Sequence, residues 1–502
     1  RNVSMSSFLF ELLSWNLILS GFIGLVTIGI ILYHYWWKLP HPQFPPGFRG
    51  IPVMGALPYL GKSAHTVMAK WSRDKFGPIM SVRFGSDDVV VLSTYDVIHE
   101  AFVKNMAAFQ SRPHILLVNA LTEGYGLAFP PYSPEFGQVR QFSLSTLRGL
   151  GIGKRSIETR ISEIAQDMVK ELDTLDGKPT NVKMIVGTSV ANVICSIVFG
   201  KSFEHNDPAF RKLCIVLIQT IPFLLRLMSR LFFTYTVIIS SKPGQHMCDI
   251  FQDFNRKEIE EHIENLDENE PSDYIDAFLI EMKKHSPDDP WFHEKQLLHS
   301  ISDLFIAGTE TTTTTLLWCM IAMLHYPDLQ ARIYNELMQE IGEQVLPSVD
   351  HRDKLPLFRA FIQEILRYKT TVILGIQHLT TKDVDIKGYR IPKDTKVTAN
   401  IDACHSDPNV WKDPSKFDIH RHIDKDGKFI LSRKVIPFGI GARSCLGEKL
   451  ARIEIYLFLA NIIKRFEILP DPKSEHLPPF DDGLSGLIHS PFSYKVSLKP
   501  RI

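Results

Sequence analysis

The chain has 502 residues, of which 44% are apolar and 22% charged, a composition typical of a globular protein with a large buried core. Lys plus Arg and Asp plus Glu both number 56, so the basic field that nucleic-acid binding exploits is missing and nucleic acid is excluded as a partner. The six cysteines are scattered, which argues against a disulfide framework or a zinc site and favours reduced thiols.

The first predicted element is a membrane-spanning helix. Residues 12–37 contain no Asp, Glu, Lys or Arg, and they are numerous enough to cross the roughly 30 Å hydrocarbon layer as one helix. Trp15 and the aromatic run that ends at Trp37 suit the two interfaces. The alternative is a cleaved signal peptide, whose apolar core is shorter, about 7–15 residues. Cations follow the segment, so residues 1–38 are predicted to be an N-terminal membrane anchor with a cytosolic body.

A proline-rich segment follows the anchor. Residues 39–55 are predicted to form a stiff, non-helical elbow, because proline restricts its own backbone and that of the preceding residue. Residues 56–502 then form the main body, most of which has helical periodicity. The predicted strands, rich in β-branched and aromatic residues, lie at 79–84, 89–93, 395–399 and 494–498.

Another apolar stretch lies at residues 221–240. It is too short and too interrupted by arginine for a second membrane span. We expect this stretch to contact the bilayer surface instead.

A long apolar helix is predicted over residues 297–324, and it carries a polar run at 307–312, AGTETT. Glycine inside a helix costs about 1 kcal/mol relative to alanine, and the β-branched threonines are also unfavourable. Glu310 would be an expensive charge to bury there. Thr311 and Glu310 together offer a hydroxyl and a carboxylate for proton delivery. The alternative is a notch of small residues that packs against another helix.

Glu364 and Arg367 lie one turn apart on a predicted helix, a spacing at which the two side chains can form an ion pair. On its own such a pair is common on the surface of helical proteins.

The loop 438–447, FGIGARSCLG, leads directly into an amphipathic helix. Cys445 lies at that junction, where backbone N–H groups and the positive helix end are expected to lower the pKa of its thiol. The alternative for Cys445, and the expected state of the other cysteines, is a buried inert thiol.

These motifs resemble those of the cytochrome P450 superfamily. The loop 438–447 matches F-x-x-G-x-R-x-C-x-G at all five fixed positions, 307–312 match A-G-x-[D/E]-T-[T/S], and Glu364 with Arg367 match E-x-x-R. Together the motifs cover essentially the whole chain after residue 38. A finer resemblance, in 142–148, 153–158 and 307–312, is to the microsomal clan of drug-, steroid- and fatty-acid-hydroxylating members. It implies the cytochrome P450 fold, mainly α with a small β region, in a single catalytic domain. This overrides the three domains that length alone favours.

The resemblance implies haem b as the cofactor, with Cys445 as the ligand of its iron. A thiolate ligand pushes electron density towards bound oxygen and favours O–O cleavage. Further family positions are expected to contact the haem and its anionic propionates: Arg112, Arg140, His378, Phe438 and Arg443. Phe136 stands where the family has tryptophan, so one indole donor is missing. For His378 the alternative is a surface histidine after a turn.

The resemblance also implies a structural lock beneath the haem, formed by Glu364, Arg367 and Arg421. Arg421 belongs to the segment 417–422, which resembles the family element F-x-P-x-R-F. Ile419 stands in place of the proline and His422 in place of the aromatic residue. These two departures leave the path of the loop open.

Roles in the reaction follow from the same resemblance. Thr311 and Glu310 are expected to be catalytic, and the positions expected to contact substrate are mostly apolar: Ala307, Ile373, Leu374 and Leu487. An apolar lining favours a lipophilic molecule, such as a steroid, fatty acid or xenobiotic, without choosing among them.

The implied activity is that of a monooxygenase of the endoplasmic reticulum membrane, with the catalytic domain facing the cytosol. Electrons would come from NADPH through the membrane-bound NADPH-cytochrome P450 reductase, with cytochrome b5 as a further partner. The reductase is expected to dock on a basic patch on the cysteine side: Lys154, Arg155, Arg443, Lys449 and Arg452. The alternative for this patch is ordinary solvated surface.

Two other functions would also use a cysteine-ligated haem. An isomerase or dehydratase acting on peroxides would need no external electrons and no proton relay, and the pair Glu310–Thr311 argues against it. A non-catalytic gas sensor would carry a signalling domain, and the sequence resembles none. NADPH consumption and substrate turnover distinguish the three functions.

Overall fold

The computed structural model describes residues 5–151, 155–204, 206–220 and 242–501. The segment predicted to touch the bilayer surface, 221–240, and Lys154 of the predicted basic patch lie outside the described residues.

The described chain is mainly helical, as the sequence predicts. Its α-helices in chain order are α1 Met5–Trp37, α2 Leu57–Leu60, α3 Ala64–Trp71, α4 Tyr95–His99, α5 Leu116–Thr122, α6 Pro134–Gly149, α7 Arg155–Asp173, α8 Lys183–Val198, α9 Pro208–Ile215, α10 Lys242–Asn265, α11 Tyr274–Met282, α12 Glu294–His325, α13 Pro327–Ile341, α14 Pro356–Tyr368, α15 Ile401–His405 and α16 Glu448–Arg465.

Among the described residues, the β structure is small and is divided among three sheets. Its strands are β1 Gly47–Phe48, β2 Ile79–Phe84, β3 Asp87–Leu92, β4 His378–Leu379, β5 Val384–Ile386, β6 Tyr389–Ile391, β7 Lys396–Ala399, β8 Phe466–Pro470 and β9 Val496–Pro500. The largest sheet has the order β1-β2-β3-β7-β4, and β5-β6 and β8-β9 form pairs. All four predicted strand segments are confirmed, and β2 is predicted to the residue.

Helix α12 is the central element of the core. From Leu297 to Leu324 most of its side chains are buried, so it needs no polar face of its own. The side chain of His293 caps its first turn by accepting a hydrogen bond from the N–H of Gln296. Helices α8 and α16 pack against α12 in one continuous apolar cluster. Residues on the exposed face of α12 therefore stand out against a buried background.

The N-terminal region consists of the 33-residue helix α1 and the proline-rich segment. Large apolar side chains of α1, among them Phe22 and Leu25, are exposed. Among the described residues, we find no helix whose length and apolarity meet the requirement for crossing a membrane. The proline-rich segment does not form a free linker, because Phe44 is buried and β1 pairs in parallel with β2. The body of the fold therefore begins inside the predicted elbow.

Candidate active site

The cysteine loop is held in a compact turn before α16. The N–H of Cys445 donates to the carbonyl of Phe438 at 2.9 Å, and the N–H of Ser444 donates to the carbonyl of Gly441 at 3.1 Å. Gly441 has a φ of +88°, and a Cβ atom there would lie 2.0 Å from the carbonyl oxygen of Phe102. Glycine is required at this position both by the left-handed backbone and by the close approach. The loop sequence thus fixes where the thiol lies.

Cys445 combines exposure with a desolvated environment. It is exposed, whereas Cys195, Cys214, Cys319 and Cys404 are buried. Burial nevertheless raises the pKa of its thiol, against smaller lowering effects from the N–H of Gly447 and from Arg140. A side chain with both properties faces a recess and not the outer surface. The sequence predicts that the helix end lowers the pKa of the Cys445 thiol. That prediction is wrong for the net shift, because desolvation raises the pKa by more than the helix end lowers it.

One face of α12 opens on a recess. Ala307 is exposed in the middle of this buried helix, and Leu304, Gly308 and Thr311 beside it are partly exposed. Their spacing of three and four residues puts these positions on one face. A Cβ atom at Gly308, however, would lie 2.6 Å from Cδ1 of Ile194 on α8. The small residue at 308 therefore serves helix packing, the alternative that the sequence left open.

The two proposed proton carriers on α12 have different partners. The hydroxyl of Thr311 donates to the carbonyl of Ala307 at 2.6 Å. Glu310 is buried, and its carboxylate forms an ion pair with Nζ of Lys183 at 2.9 Å. Lys183 is about a quarter exposed, so the Glu310 carboxylate is linked through it to the surface of α8. This pair explains how a charge is tolerated in so apolar a helix.

Three arginines lie close together near the cysteine loop: Arg112, Arg140 and Arg443. Every hydrogen bond that the structure gives these guanidinium groups goes to a backbone carbonyl oxygen. Nε and Nη1 of Arg443 are buried without a partner among the described residues. Burial and mutual repulsion lower the pKa of Arg112 to about 9 and that of Arg443 to about 8.

Aromatic residues and His378 complete this surface. The guanidinium of Arg443 stacks on Phe136 at 4.7 Å, so the phenylalanine that replaces the family's tryptophan supports a cation. His378 is buried against Phe102, and its Nδ1–H donates to the carbonyl of Phe109 at 2.5 Å. Burial and Arg112 hold the pKa of His378 well below its usual range. The neutral ring therefore presents an acceptor at Nε2 and becomes a second donor only when an anion favours its protonation.

The arginine cluster, with positive charges close together and N–H groups that lack an acceptor, fits an anionic group. Each unmatched buried cation is costly, and a carboxylate brought among these arginines would satisfy the free N–H groups of Arg443 and relieve the repulsion. Haem carries two such carboxylates, and an accessible thiol lies beside the cluster. The residues of this region therefore fit a haem with Cys445 as the iron ligand. Phe438 lies within the same loop, with the guanidinium of Arg452 over its ring.

The lock predicted around Glu364 has a different composition in the structure. Arg367 binds both carboxylate oxygens of Glu364, at 2.8 and 2.7 Å, and His422 Nε2 lies 2.9 Å from Oε2. Arg421 Nε is at ion-pair distance, 3.5 Å, while its other nitrogens bind backbone carbonyls. Burial raises the pKa of Glu364, but the bonds from Arg367 and His422 outweigh it and the pKa is lowered.

Three polar residues of this region were missed by the sequence analysis or seen only as departures. His422 marked a deviation and proves to be a partner of Glu364. Asp303 accepts from the N–H groups of Leu127 and Ala128, and burial raises its pKa to about 6. Glu454 accepts from Thr312 at 3.0 Å, and burial raises its pKa to about 8. In the sequence, Glu454 could have been recognised only because it is an acidic residue among the apolar positions of a predicted helix.

The predicted substrate positions differ in exposure. Ala307 and Leu487 are exposed, and Leu374 is partly buried against a satellite core that includes Ala56 and Met80. Ile373 is 2% exposed, and its carbonyl accepts from the N–H of Ile401 at 2.9 Å. The side chain of Ile373 therefore borders no open space and does not match the expectation of substrate contact.

Comparison with known proteins points in one direction. The family model described as Cytochrome P450 matches residues 45–497. Cytochrome P450 2B19 of Mus musculus is 34% identical over 484 residues, which cover 95% of this chain and 98% of the relative. Cytochrome P450 2B4 of Oryctolagus cuniculus is 35% identical over 471 residues, which cover 92% of this chain and 95% of the relative. Cytochrome P450 2U1 of Bos taurus is 32% identical over 513 residues, which cover 95% and 93%.

Proposed function

The chain belongs to the cytochrome P450 family, and from that premise we propose that it inserts one oxygen atom into a lipophilic substrate with electrons delivered by a flavoprotein reductase. It is a cytochrome P450 monooxygenase, its haem iron is ligated by cysteine, and its electrons derive from NADPH. The observation that carries the proposal is the accessible Cys445 thiol beside three arginines, two of them buried, whose hydrogen bonds go to backbone carbonyls and not to a carboxylate.

In this proposal Cys445 holds the iron and the arginine cluster of Arg112, Arg140 and Arg443 holds the carboxylates. When bound, haem supplies the chemistry of oxygen activation, which a thiolate ligand promotes. The backbone bond from Cys445 to Phe438 and the close contact at Gly441 keep the sulfur in place. The neighbouring cations favour the ionised forms of the sulfur and of the carboxylates.

Proton delivery is assigned to Thr311 and Glu310. The hydroxyl of Thr311 lies on the open face of α12 and is held by the carbonyl of Ala307. Glu310 connects to the surface through Lys183. In this arrangement Glu310 and Lys183 bring a proton from solvent, and the hydroxyl of Thr311 passes it to the open face of α12.

The substrate is proposed to be lipophilic. The open face of α12 offers Leu304, Ala307 and the methyl group of Thr311, and Leu487 extends from the C-terminal region. Burial of apolar surface is then the main source of binding energy. A steroid, a fatty acid and a xenobiotic all meet this requirement.

The reductase is proposed to dock on the cysteine side, with cytochrome b5 as a further partner. Lys449 is exposed, whereas Arg155 and Arg452 pair with Asp350 and Glu448. Arg443 is 9% exposed, so it belongs to the arginine cluster and not to a docking surface. Within the part of the chain that the structure describes, the patch thus consists of Arg155, Lys449 and Arg452.

Residues 1–38 are proposed to anchor the catalytic domain, which we place at 56–502 with the elbow 39–55 before it, in the endoplasmic reticulum membrane. The exposed apolar side chains of α1 and the uncharged stretch 12–37 support this. The cations that follow α1 favour a cytosol-facing body.

The central test replaces the proposed iron ligand. In haem-loaded protein, Cys445→Ser is expected to abolish the red-shifted carbon monoxide band of the reduced enzyme, because serine supplies no thiolate. Cys404→Ser is the matched control, since it removes a buried thiol elsewhere. A Cys445→Ser variant that kept the band would assign the ligand to another residue.

NADPH consumption with reductase and a lipophilic substrate separates the monooxygenase from an isomerase. A spectral screen of steroids, fatty acids and drugs identifies the substrate class.

A further inference from the structure

A second group of buried cations lies where α1 meets the sheet. Arg83 binds Asp88 through Nε at 2.9 Å and through Nη2 at 2.5 Å. Nη1 of Arg83 donates to the carbonyl of Trp36, at the last turn of α1, and its guanidinium lies 4.8 Å from the centre of the indole. Nη1 of Arg49 reaches both Asp88 and the same carbonyl, each at 3.4 Å. These four residues form what we call the α1 junction.

The charges of the α1 junction do not balance. Two guanidinium groups face one carboxylate, so one positive charge is left over among side chains that are 5%, 8% and 11% exposed for Arg49, Arg83 and Asp88. Two donors are also unused: Nη2 of Arg49 and Nε1 of Trp36 are buried without a hydrogen-bond partner among the described residues. An orphan donor next to an uncompensated charge is costly unless an anion takes both.

The surface around the α1 junction is apolar. The N–H of Ala56 donates to the carbonyl of Arg83 at 2.7 Å, and the N–H of Gly85 donates to that of Met54 at 3.3 Å. These bonds place the turn 51–55 beside Arg83. Within the turn Ile51, Val53 and Met54 are 40%, 70% and 46% exposed. Exposed apolar side chains next to a desolvated cation match the boundary between lipid headgroups and acyl chains.

We propose that the α1 junction binds one phosphate monoanion through Arg49, Arg83 and the indole N–H of Trp36, and that its source is the phosphodiester of a membrane phospholipid. A phosphodiester carries the single negative charge that the junction lacks, and its oxygens accept from guanidinium and indole donors. This inference rests on the proposed membrane association of α1. Since the unused donors have no contact with solvent, a phosphate oxygen reaches them when the last turn of α1 moves aside, and the lipid then bridges α1 and the sheet.

The test counts phospholipid on the full-length, haem-loaded protein after extraction from membranes in a nonionic detergent, by native mass spectrometry. One retained phospholipid per chain is expected. Trp36→Phe keeps an aromatic side chain and the backbone carbonyl but removes the indole N–H, and Arg49→Gln removes the extra charge. Each is expected to lower lipid occupancy about tenfold, the cost of a charge-assisted hydrogen bond. Arg73→Gln is the control, because it removes an arginine that is exposed and lies outside the α1 junction.

The outcomes separate the proposal from its premise. If millimolar inorganic phosphate displaces the lipid, the α1 junction is still a phosphate site, but its ligand is free phosphate and not a phospholipid. A protein that floats with phosphatidylcholine vesicles and yet retains no phospholipid, or variants that retain as much as wild type, overturn the site. A protein that does not float but binds phosphate in a Trp36- and Arg49-dependent way overturns the membrane association of α1 alone.

Discussion

The lock around Glu364 and the arginine cluster are both buried and charged, yet they are built in opposite ways. In the lock, both oxygens of Glu364 are bonded, and the charge of Arg367 is matched at 1% exposure. In the cluster, three guanidinium groups lie together with carbonyl partners, and two donors of Arg443 are unused. Nε of Arg421 and Nδ1 of His422 in the lock have no hydrogen-bond partner among the described residues, but the Glu364–Arg367 pair is matched in charge and is a part of the folded structure. The arginine cluster, in which three guanidinium groups outnumber the nearby carboxylate of Asp303, is a site that is complete only with its ligand.

The largest effect should come from breaking the Glu364–Arg367 pair. Arg367→Ala leaves the Glu364 carboxylate buried without its main partner, which is expected to destabilise the fold by about 3–5 kcal/mol. Urea unfolding of the haem-loaded protein measures this. Arg332→Ala, on the exposed surface of α13, is the control and should change stability by less than about 0.5 kcal/mol. Equal effects of the two variants would show that the lock contributes no special stability.

The arginine cluster should respond in a different observable. Arg443→Met removes a cation whose burial and repulsion by Arg112 and Arg140 outweigh its attraction to Asp303, so unfolding of the haem-free protein should change by less than about 1 kcal/mol. Transfer of haem to apomyoglobin should become about 10–100-fold faster, because a charge-assisted contact to a carboxylate is lost. A variant with normal haem release and an unstable fold would make Arg443 a structural residue like Arg367.

The partner of Glu364 that sequence reasoning missed gives a smaller effect. His422→Phe restores an aromatic ring but removes the hydrogen bond at 2.9 Å, and a cost of about 1–2 kcal/mol is expected. The exposed neighbour gives the control His420→Phe. Should His422→Phe be as stable as wild type, the ion pairs of Arg367 and Arg421 suffice for the lock.

A third charged network, around His262, lies near the protein surface and extends the comparison to a partly exposed group. His262 donates to the carbonyl of Glu258 and to Asp273, at 2.6 and 2.8 Å. Burial lowers its pKa, but these partners raise it to about 9. A pKa above that of the unfolded chain means that the stabilisation is complete below about pH 6.5 and is lost as the pH rises through about 9. Unfolding between pH 7 and 9 should show a loss on the order of 1 kcal/mol that is absent in His262→Gln.

Much of the fold follows from local pattern. The apolar stretch 297–324 predicted α12 because every face of a core helix can be apolar, and β-branched runs predicted β2, β3, β7 and β9. The Cys445 loop was readable because its glycines and cysteine have fixed spacing. The partners across long sequence distances were not readable. Arg443 was expected both at a propionate and on a docking surface, and only its burial separates the two.

The same limit explains the lock. Spacing within one helix predicts the pair of Glu364 and Arg367, since residues three apart share a face. His422 lies 58 positions away on a short 3₁₀ turn, whose path no periodicity describes. Gly308 was ambiguous for a related reason, because its neighbour Ile194 belongs to a different helix.

The junction between the proline-rich segment and the sheet limits how the chain can be shortened for expression. The carbonyl of Pro46 accepts from the N–H of Ser81, and that of Pro45 accepts from the Ser81 hydroxyl, both at 2.8 Å. A chain that begins just before Phe44 keeps β1 on β2. One that begins at the predicted domain border, residue 56, leaves an unprotected strand edge at β2, which is a template for aggregation. A shortened chain without α1 is thus expected to stay soluble and monodisperse only if it keeps Pro45 and Pro46.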